Sequence, residues 1–450
     1  MADMHTMQTL LLDLQAGRIS RRDFISRSVA LGLSFSAASA LLAACGSTSG
    51  TTTGAGSKDF TFTTNATTPD EKKVAKGLVD TYMKQSGGKV KVNYVPGSDY
   101  PSAVRTYLSS PVAPDALAYY GGLLSQFFIG RGLILDISDI WEKNGWATAF
   151  PQAFQATSKG KDGKYYFLPQ NWYWWATFYR PSTFRKHNVT PPKTFDELYT
   201  VCNKLKADGV VPFVVGAQAP WTLAGWFDIL DLRVNGPQFH SDLTGGKAHY
   251  TDAKVKKVFG IWRDMIKRGY FTKSASAYTW DQQIPPLVKG EGGMYVIGRF
   301  IYDSFPADAQ ADLDFFSFPT YDPAIPTAEE APVDGYFIPK HAKNQQAAKD
   351  LLSYLGSVEG EKLFVTSGGG ALSANTQVPS SVYSPFDAKG VEFVKKASAV
   401  SQFYDRDTDA TVSTRGMAFF GQFFNNPDLD LNKGLSDLDQ FAQSIYSKQQ

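Results

Sequence analysis

Apolar and polar positions change period along the chain, and each change predicts an element. Residues 60–64 read as a strand. Thr68-Pro69-Asp70-Glu71 then supplies an N-cap, a first-turn proline and a glutamate three residues past the cap, a local recipe for starting a helix. Val74, Leu78, Val79 and Tyr82 recur at helical spacing up to about Gln85, Gly87-Gly88 breaks the run, and residues 90–95 alternate as a strand. A second helix over 102–109 leads through Pro114-Asp115 to a short apolar strand, 116–120. Strand, helix, strand, helix, strand predicts an open parallel α/β sheet.

Past residue 160 the pattern restarts. Residues 164–168 and 172–179 are rich in aromatics and read as extended, and Pro191-Pro192-Lys193 is a stiff connector. Thr194-Phe195-Asp196-Glu197 repeats the capping logic for a helix to about Ala207. A buried strand over 210–215, helices over 221–232 and 252–268 (the latter capped by Thr251), short strands at 294–297 and 336–338 and a helix at 349–355 follow. No tandem repeat of fixed period is present. The pattern predicts two α/β lobes. Ligands of such sheets bind beyond the carboxyl ends of the strands, which nominates the loops after Thr64 and Tyr120 and the segment near Asn171.

Composition narrows the function. The 450 residues allow roughly two to three domains. With 45 basic against 43 acidic residues the net charge is only +2, so no basic field is available for nucleic acid. Mean hydropathy of -0.24 excludes a polytopic membrane protein. Two cysteines, Cys45 and Cys202, exclude a disulfide framework and a four-thiolate metal site, and five scattered histidines leave little for a zinc enzyme. Cys202, alone on its helix, is expected in the core. Neither a metal nor a cofactor is expected.

The first 44 residues read as an export signal. Arg21-Arg22 precede a short apolar stretch that ends at Leu42-Ala43-Ala44-Cys45, too weakly apolar to span a bilayer. The paired arginines resemble bacterial twin-arginine signals, and Leu-Ala-Ala-Cys resembles a lipobox, in which Cys45 is lipidated. Residues 45–58, rich in Gly, Ser and Thr, form a flexible tether. The expected picture is a globule leashed to the outer face of the cell membrane.

Catalytic motifs are missing: no phosphate-cradling glycine loop, no His-Glu-x-x-His, no Gly-x-Ser-x-Gly. Asp405-Arg406-Asp407-Thr408-Asp409 opens like a calcium loop, but Ala410 and Gly416 stand where glycine and glutamate are needed, so it reads as a solvated acidic turn. The concentrated signal is aromatic, Gln170-Asn171-Trp172-Tyr173-Trp174-Trp175. As one strand it would put Trp172 and Trp174 on one face, Tyr173 and Trp175 on the other. Sugar rings present C–H faces that stack on such side chains, with hydroxyls left for polar partners. Asn171, Trp221, Trp226, Trp280-Asp281 and Gly298-Arg299-Phe300 suit that task; core packing is the alternative for each tryptophan.

These residues resemble the extracellular solute-binding proteins of bacterial ABC importers, in their maltose-binding-protein-like carbohydrate branch. The resemblance rests on Asp162-Gly163-Lys164-Tyr165-Tyr166-Phe167-Leu168-Pro169, on Phe178-Tyr179-Arg180 followed by Thr190 to Leu198, on Lys289 to Met294 with Gly298-Arg299-Phe300, and on Gly335 to Lys340 with Ala347-Ala348 and Gly368-Gly369-Gly370. It covers about residue 60 to the end. Arg180, Phe195 and Phe300 depart from the family's usual Asn, Trp and Trp, and Tyr173 falls about where maltose-binding protein has a sugar-contacting carboxylate.

The resemblance implies a two-lobed type II periplasmic-binding fold, hinged near Asn171 and Asp334. Its lobes are then discontinuous: 59–170 and 336–385 in the first, 171–335 and 386–450 in the second. It implies a monomer without enzymatic activity that closes on a sugar and delivers it to the permease subunits. The nominated stacking rings are Trp172, Trp226, Trp280 and Phe300. The nominated polar partners are Asn65, Tyr120, Asn171, Asp281, Arg299 and Asp334, and Tyr173 and Tyr336 complete the set. A surface-anchored carbohydrate hydrolase or lyase, or the same fold binding a polyamine-like cation, are the competing readings.

Overall fold

The computed structural model describes residue 23 and residues 59–448, apart from 97–98, 112 and 369–371. The expected signal, Cys45 and the tether lie outside the described residues. Twelve strands are described: β1 (Asp59–Thr64), β2 (Lys89–Tyr94), β3 (Ala116–Tyr120), β4 (Leu168–Trp172), β5 (Trp175–Tyr179), β6 (Val211–Phe213), β7 (Gly292–Gly298), β8 (Asp314–Phe316), β9 (Ala328–Glu330), β10 (Val333–Phe337), β11 (Leu372–Ser373) and β12 (Ala399–Ser401). They form a six-stranded sheet in the order β11-β4-β10-β3-β1-β2, a four-stranded sheet β6-β7-β5-β8 and a two-stranded pair β12-β9. Each larger sheet carries its own core, so the molecule has two α/β lobes.

The larger sheet is mixed and not parallel throughout. β1 pairs parallel with β2 and β3, whereas β10 runs antiparallel to both β3 and β4. Proline in an inner strand is allowed only where the ladder is interrupted. Pro169 sits at such a point: the register between β4 and β10 slips between Asp334 and Gly335, which face Asn171 and Pro169, leaving Gln170 as the extra residue.

The chain passes from one sheet to the other between Trp172 and Trp175, so the aromatic run is two strands with a break, not one. Its alternation therefore fails in part. Trp174 is buried against Phe315 and Phe386, while Trp172 lies near Phe154 of the other lobe. Tyr173 and Trp175 do converge, both meeting Phe300 edge-on.

Helix starts follow local chemistry. Thr68 Oγ1 accepts from the Glu71 backbone N–H at 3.2 Å, and Glu71 accepts from Thr68 N–H at 2.9 Å, opening the helix Pro69–Ser86. At the helix Phe195–Ala207, Glu197 instead accepts from the Lys193 N–H, one residue further upstream. Helix Ala253–Lys267 is capped by Asp252, which accepts from Lys254 N–H at 2.8 Å, not by Thr251. Cys202 is fully buried.

The segment expected to be a solvated acidic turn is instead packed inside. Arg406, Thr408 and Asp409 are buried, residues Tyr404–Asp407 form a short helix, and Asp409 caps the next one, Ala410–Asn425. Charge-rich spacing alone does not report burial when the countercharges come from distant parts of the chain.

Candidate functional site: a cleft between the lobes

A cleft of about 460 Å³ opens between the lobes, with Thr68, Asp70 and Glu71 on one wall and Trp280, Asp281, Ile284, Phe300 and Asp303 on the other. Phe300, just past the end of β7, is the hub of the aromatic wall. Trp280 meets its ring at 5.0 Å, Tyr173 at 5.6 Å and Trp221 at 6.0 Å, all edge to face. Phe300 and Trp280 themselves line the cleft and offer ring surface to an apolar face of a ligand.

Beyond Tyr173 lies a polar cluster drawn from both lobes. The Arg406 guanidinium sits 4.7 Å from the Tyr120 ring and 5.7 Å from the Tyr173 ring. Its Nη2 is 3.1 Å from Asp334 Oδ1, and its Nε is 3.9 Å from Asp405 Oδ1. Asn65 donates to the Tyr120 hydroxyl at 3.0 Å beside it. The backbone makes this approach possible: Gly122 has φ of 81°, and a Cβ there would lie 2.6 Å from the Arg406 carbonyl oxygen. Burial pushes the Asp405 carboxyl up to about 6 and raises Asp334 as well, while Arg406 opposes both shifts.

The nominated residues divide. Trp280, Asp281 and Phe300 line the cleft, with Trp221 against Phe300, while Tyr173 and, behind it, Asn65, Tyr120 and Asp334 gather about Arg406. Asn171 is buried in β4, and Trp172 is half-buried at its end. Three nominations are corrected. Trp226 is fully buried between Phe213, Phe271 and Phe318 and is core. Arg299 is buried with its guanidinium committed to Asp387, at 2.7 Å, and to Asp303. Tyr336 packs on Phe62 inside the first lobe and donates its hydroxyl to Gln170. Asp70, Glu71, Asp303, Asp405 and Arg406 were not nominated. For Arg406 the available signal was Phe403-Tyr404 before it and the apolar helix after it, which make an isolated charged triplet an odd loop.

Beneath the helix Tyr404–Asp407 lies a buried acidic network. Asp228 accepts from the Tyr404 N–H at 2.6 Å, and His240 Nδ1 is 2.9 Å from Asp231, with its Nε2 3.7 Å from Asp228. Burial, with the neighbouring Glu330, pushes the Asp228 carboxyl well up, and burial does the same to Glu330 and takes Asp407 to about 6. Burial opposes charge on His240, yet Asp231 and Asp228 take it up to about 9. Asp228, Glu330, Asp407 and His240 each have a folded pKa above the unfolded value. Their contribution is therefore full below the unfolded value and disappears as pH rises through the folded one. For the carboxyls that window runs from about pH 4 to 6 and upward, and for His240 from about 6.5 to 9. Exposed carboxylates held low, such as Asp208 beside Lys204, keep their contribution across this range and lose it only below about pH 4. Calorimetry is expected to find the thermal midpoint falling by roughly 5 °C or more from pH 5 to pH 9, with a shallower slope in Asp228→Asn. A midpoint that rises over that range overturns the assignment.

Among the described residues no helix is long and apolar enough to cross a membrane, and no three His, Cys, Asp or Glu gather as metal ligands. The profile of a family described as bacterial extracellular solute-binding protein matches residues 65–362. An uncharacterized ABC transporter extracellular-binding protein of Pyrococcus horikoshii is 25% identical over 319 residues, 69% of either chain. A "Probable sugar-binding periplasmic protein" of Mesorhizobium japonicum is 26% identical over 60% of this chain and 64% of its own. Among solved structures, the bacterial solute receptor AcbH, described as exclusive for β-D-galactopyranose, superposes with a TM-score of 0.82 at 29% identity, covering 86% of this chain and 99% of that one. Maltose-bound MalE3 of T. maritima shares the fold, with a TM-score of 0.73 at 14% identity over 86% of this chain and 99% of its own. Two lobes about an aromatic cleft and a matching profile over most of the sequence lead to one conclusion: this chain belongs to the bacterial extracellular solute-binding protein family.

Proposed function

We propose that the protein captures a neutral sugar or short oligosaccharide between its lobes and delivers it intact to the membrane subunits of an ABC importer. The observation that carries this reading is the aromatic wall centred on Phe300, which lines the interlobe cleft and runs toward the polar cluster around Arg406. A sugar needs both halves of that arrangement, flat apolar surface for its C–H faces and charged partners for its hydroxyls. A ligand that touches both lobes only when they are closed shifts the hinge equilibrium by its differential affinity, and a micromolar ligand supplies about 8 kcal/mol for the purpose.

In this reading the hinge lies where β4 and β10 meet the crossing segments. Residues 59–170 and 336–385 make one lobe, and 171–335 and 386–450 the other. The protein acts as a monomer outside the cytoplasmic membrane, held by a lipid on Cys45, and carries out no chemistry on its ligand.

A thermal-shift screen against mono- and oligosaccharides, with spermidine as the cationic control, tests the proposal. A sugar at 100-fold its Kd is expected to stabilise by about 2.7 kcal/mol, a rise of roughly 5 °C, and to be recovered uncleaved. New reducing ends would favour an enzyme. A response to spermidine and to no sugar would overturn the ligand class.

A further inference from the structure

The guanidinium of Arg406 has more hydrogen-bonding capacity than its surroundings use. The residue is 6% exposed, yet its Nε and Nη1 find no hydrogen-bond partner among the described residues, and neither does Asp405 Oδ1. Leaving such groups unpaired inside a protein is costly, so their persistence points to a partner that arrives with the ligand. The two carboxylates on either side of the guanidinium, Asp334 and Asp405, remain 27% and 23% exposed at their side chains. The Tyr120 and Tyr173 rings flank the same guanidinium, at 4.7 and 5.7 Å.

We propose that Asp334, Arg406 and Asp405 form the specificity end of the cleft, reading two neighbouring hydroxyls on one edge of a single sugar ring; this rests on the sugar-binding reading above. A hydroxyl donates and accepts at once. One hydroxyl donates to Asp334 and the next to Asp405, and their oxygens accept from the Nε and Nη1 of the guanidinium between the two carboxylates. An anion would confront both carboxylates, and a cation would confront Arg406. A ligand lacking either hydroxyl would leave a charged group buried and unpaired, the condition under which a polar site discriminates most strongly. Any further sugar units would then extend away from this end, past Phe300 toward Trp280 and Asp281 at the mouth.

The test is calorimetric titration of the purified protein with D-galactose, D-glucose, D-xylose and maltose, then with the monodeoxy derivatives of the tightest binder. Two derivatives, modified at adjacent carbons, are expected to bind about 30-fold more weakly than the parent, and the others within about threefold. Asp334→Asn and Asp405→Asn are each expected to erase the penalty for one of the two positions, and Arg406→Lys to reduce both. A cluster that merely holds the lobes together would lower the thermal midpoint of the variants while leaving the ranking of deoxy sugars unchanged, and that result overturns the proposal. Should Arg406→Lys fail to fold, Asp405→Asn, altered at a partly exposed carboxyl, decides the question. Binding of the parent sugar with equal tolerance of every deoxy derivative sinks this inference and leaves sugar capture standing. No binding of these four sugars or of any sugar in the thermal-shift panel by the unaltered protein, with intact thermal unfolding, sinks both.

Discussion

Gly335→Ala is expected to lower the thermal midpoint severely and to weaken ligand capture in whatever folded protein remains. A Cβ at this position would lie 1.9 Å from the Leu168 carbonyl oxygen and 2.8 Å from the Phe167 ring. The first contact is with backbone, which has no rotamer to yield. Gly335 sits at the register slip between β10 and β4, where the inner strand already accommodates Pro169, so the sheet has no slack there. Separating the two strands breaks ladder bonds in the middle of the six-stranded sheet. It also moves Asp334, the adjacent residue, away from Arg406. About 3 kcal/mol or more of destabilisation is expected, among the larger effects a single methyl group produces. Denaturant unfolding followed by tryptophan fluorescence measures it. A variant within about 0.5 kcal/mol of the parent would show that the strands separate freely, and the hinge placement would have to be abandoned.

Local chemistry was legible in the sequence and long-range countercharge was not. Thr68 with Glu71 and Thr194 with Glu197 announce helix starts because the groups that satisfy one another lie within four residues. The two-lobed α/β organisation follows from the same kind of information, accumulated over the restart past residue 160. For Trp226 the sequence offers no face to choose, because almost every position of its helix, Trp221–Val234, is buried and helical periodicity is lost. Arg299 and Arg406 show the converse difficulty. Both are buried arginines, but Asp387 and Asp303 consume one, while Asp334 and Asp405 leave part of the other unpaired. Asp303 and Asp405 lie within four residues of their arginines, but the distant partners do not: Asp387 is 88 residues from Arg299, and no spacing rule connects it, or Asp334, to its arginine. Asp405-Arg406-Asp407 looked solvated for the same reason, since three charges in a row normally seek water.

Phe300→Ala is expected to cost about 30- to 100-fold in affinity for the best-bound sugar, with only a modest loss of thermal stability. The ring is half-buried at the cleft wall and gathers Tyr173, Trp221 and Trp280 edge-on, so removing it deletes a stacking surface and lets its neighbours splay. Phe300→Trp should bind within about threefold of the parent, since the larger ring keeps the face and adds an N–H donor. Trp226→Ala provides the opposite pattern and so separates cleft from core. Its indole fills the space between Phe213, Phe271 and Phe318, and truncation is expected to destabilise by about 4 kcal/mol. Folded Trp226→Ala protein should retain near-normal affinity at a temperature well below its midpoint. Titration calorimetry together with thermal unfolding of the three variants reads both quantities. Equal losses of affinity in Phe300→Ala and Trp226→Ala would mean that binding merely follows stability, and Phe300 would then be one more packed ring instead of the surface on which the ligand lies.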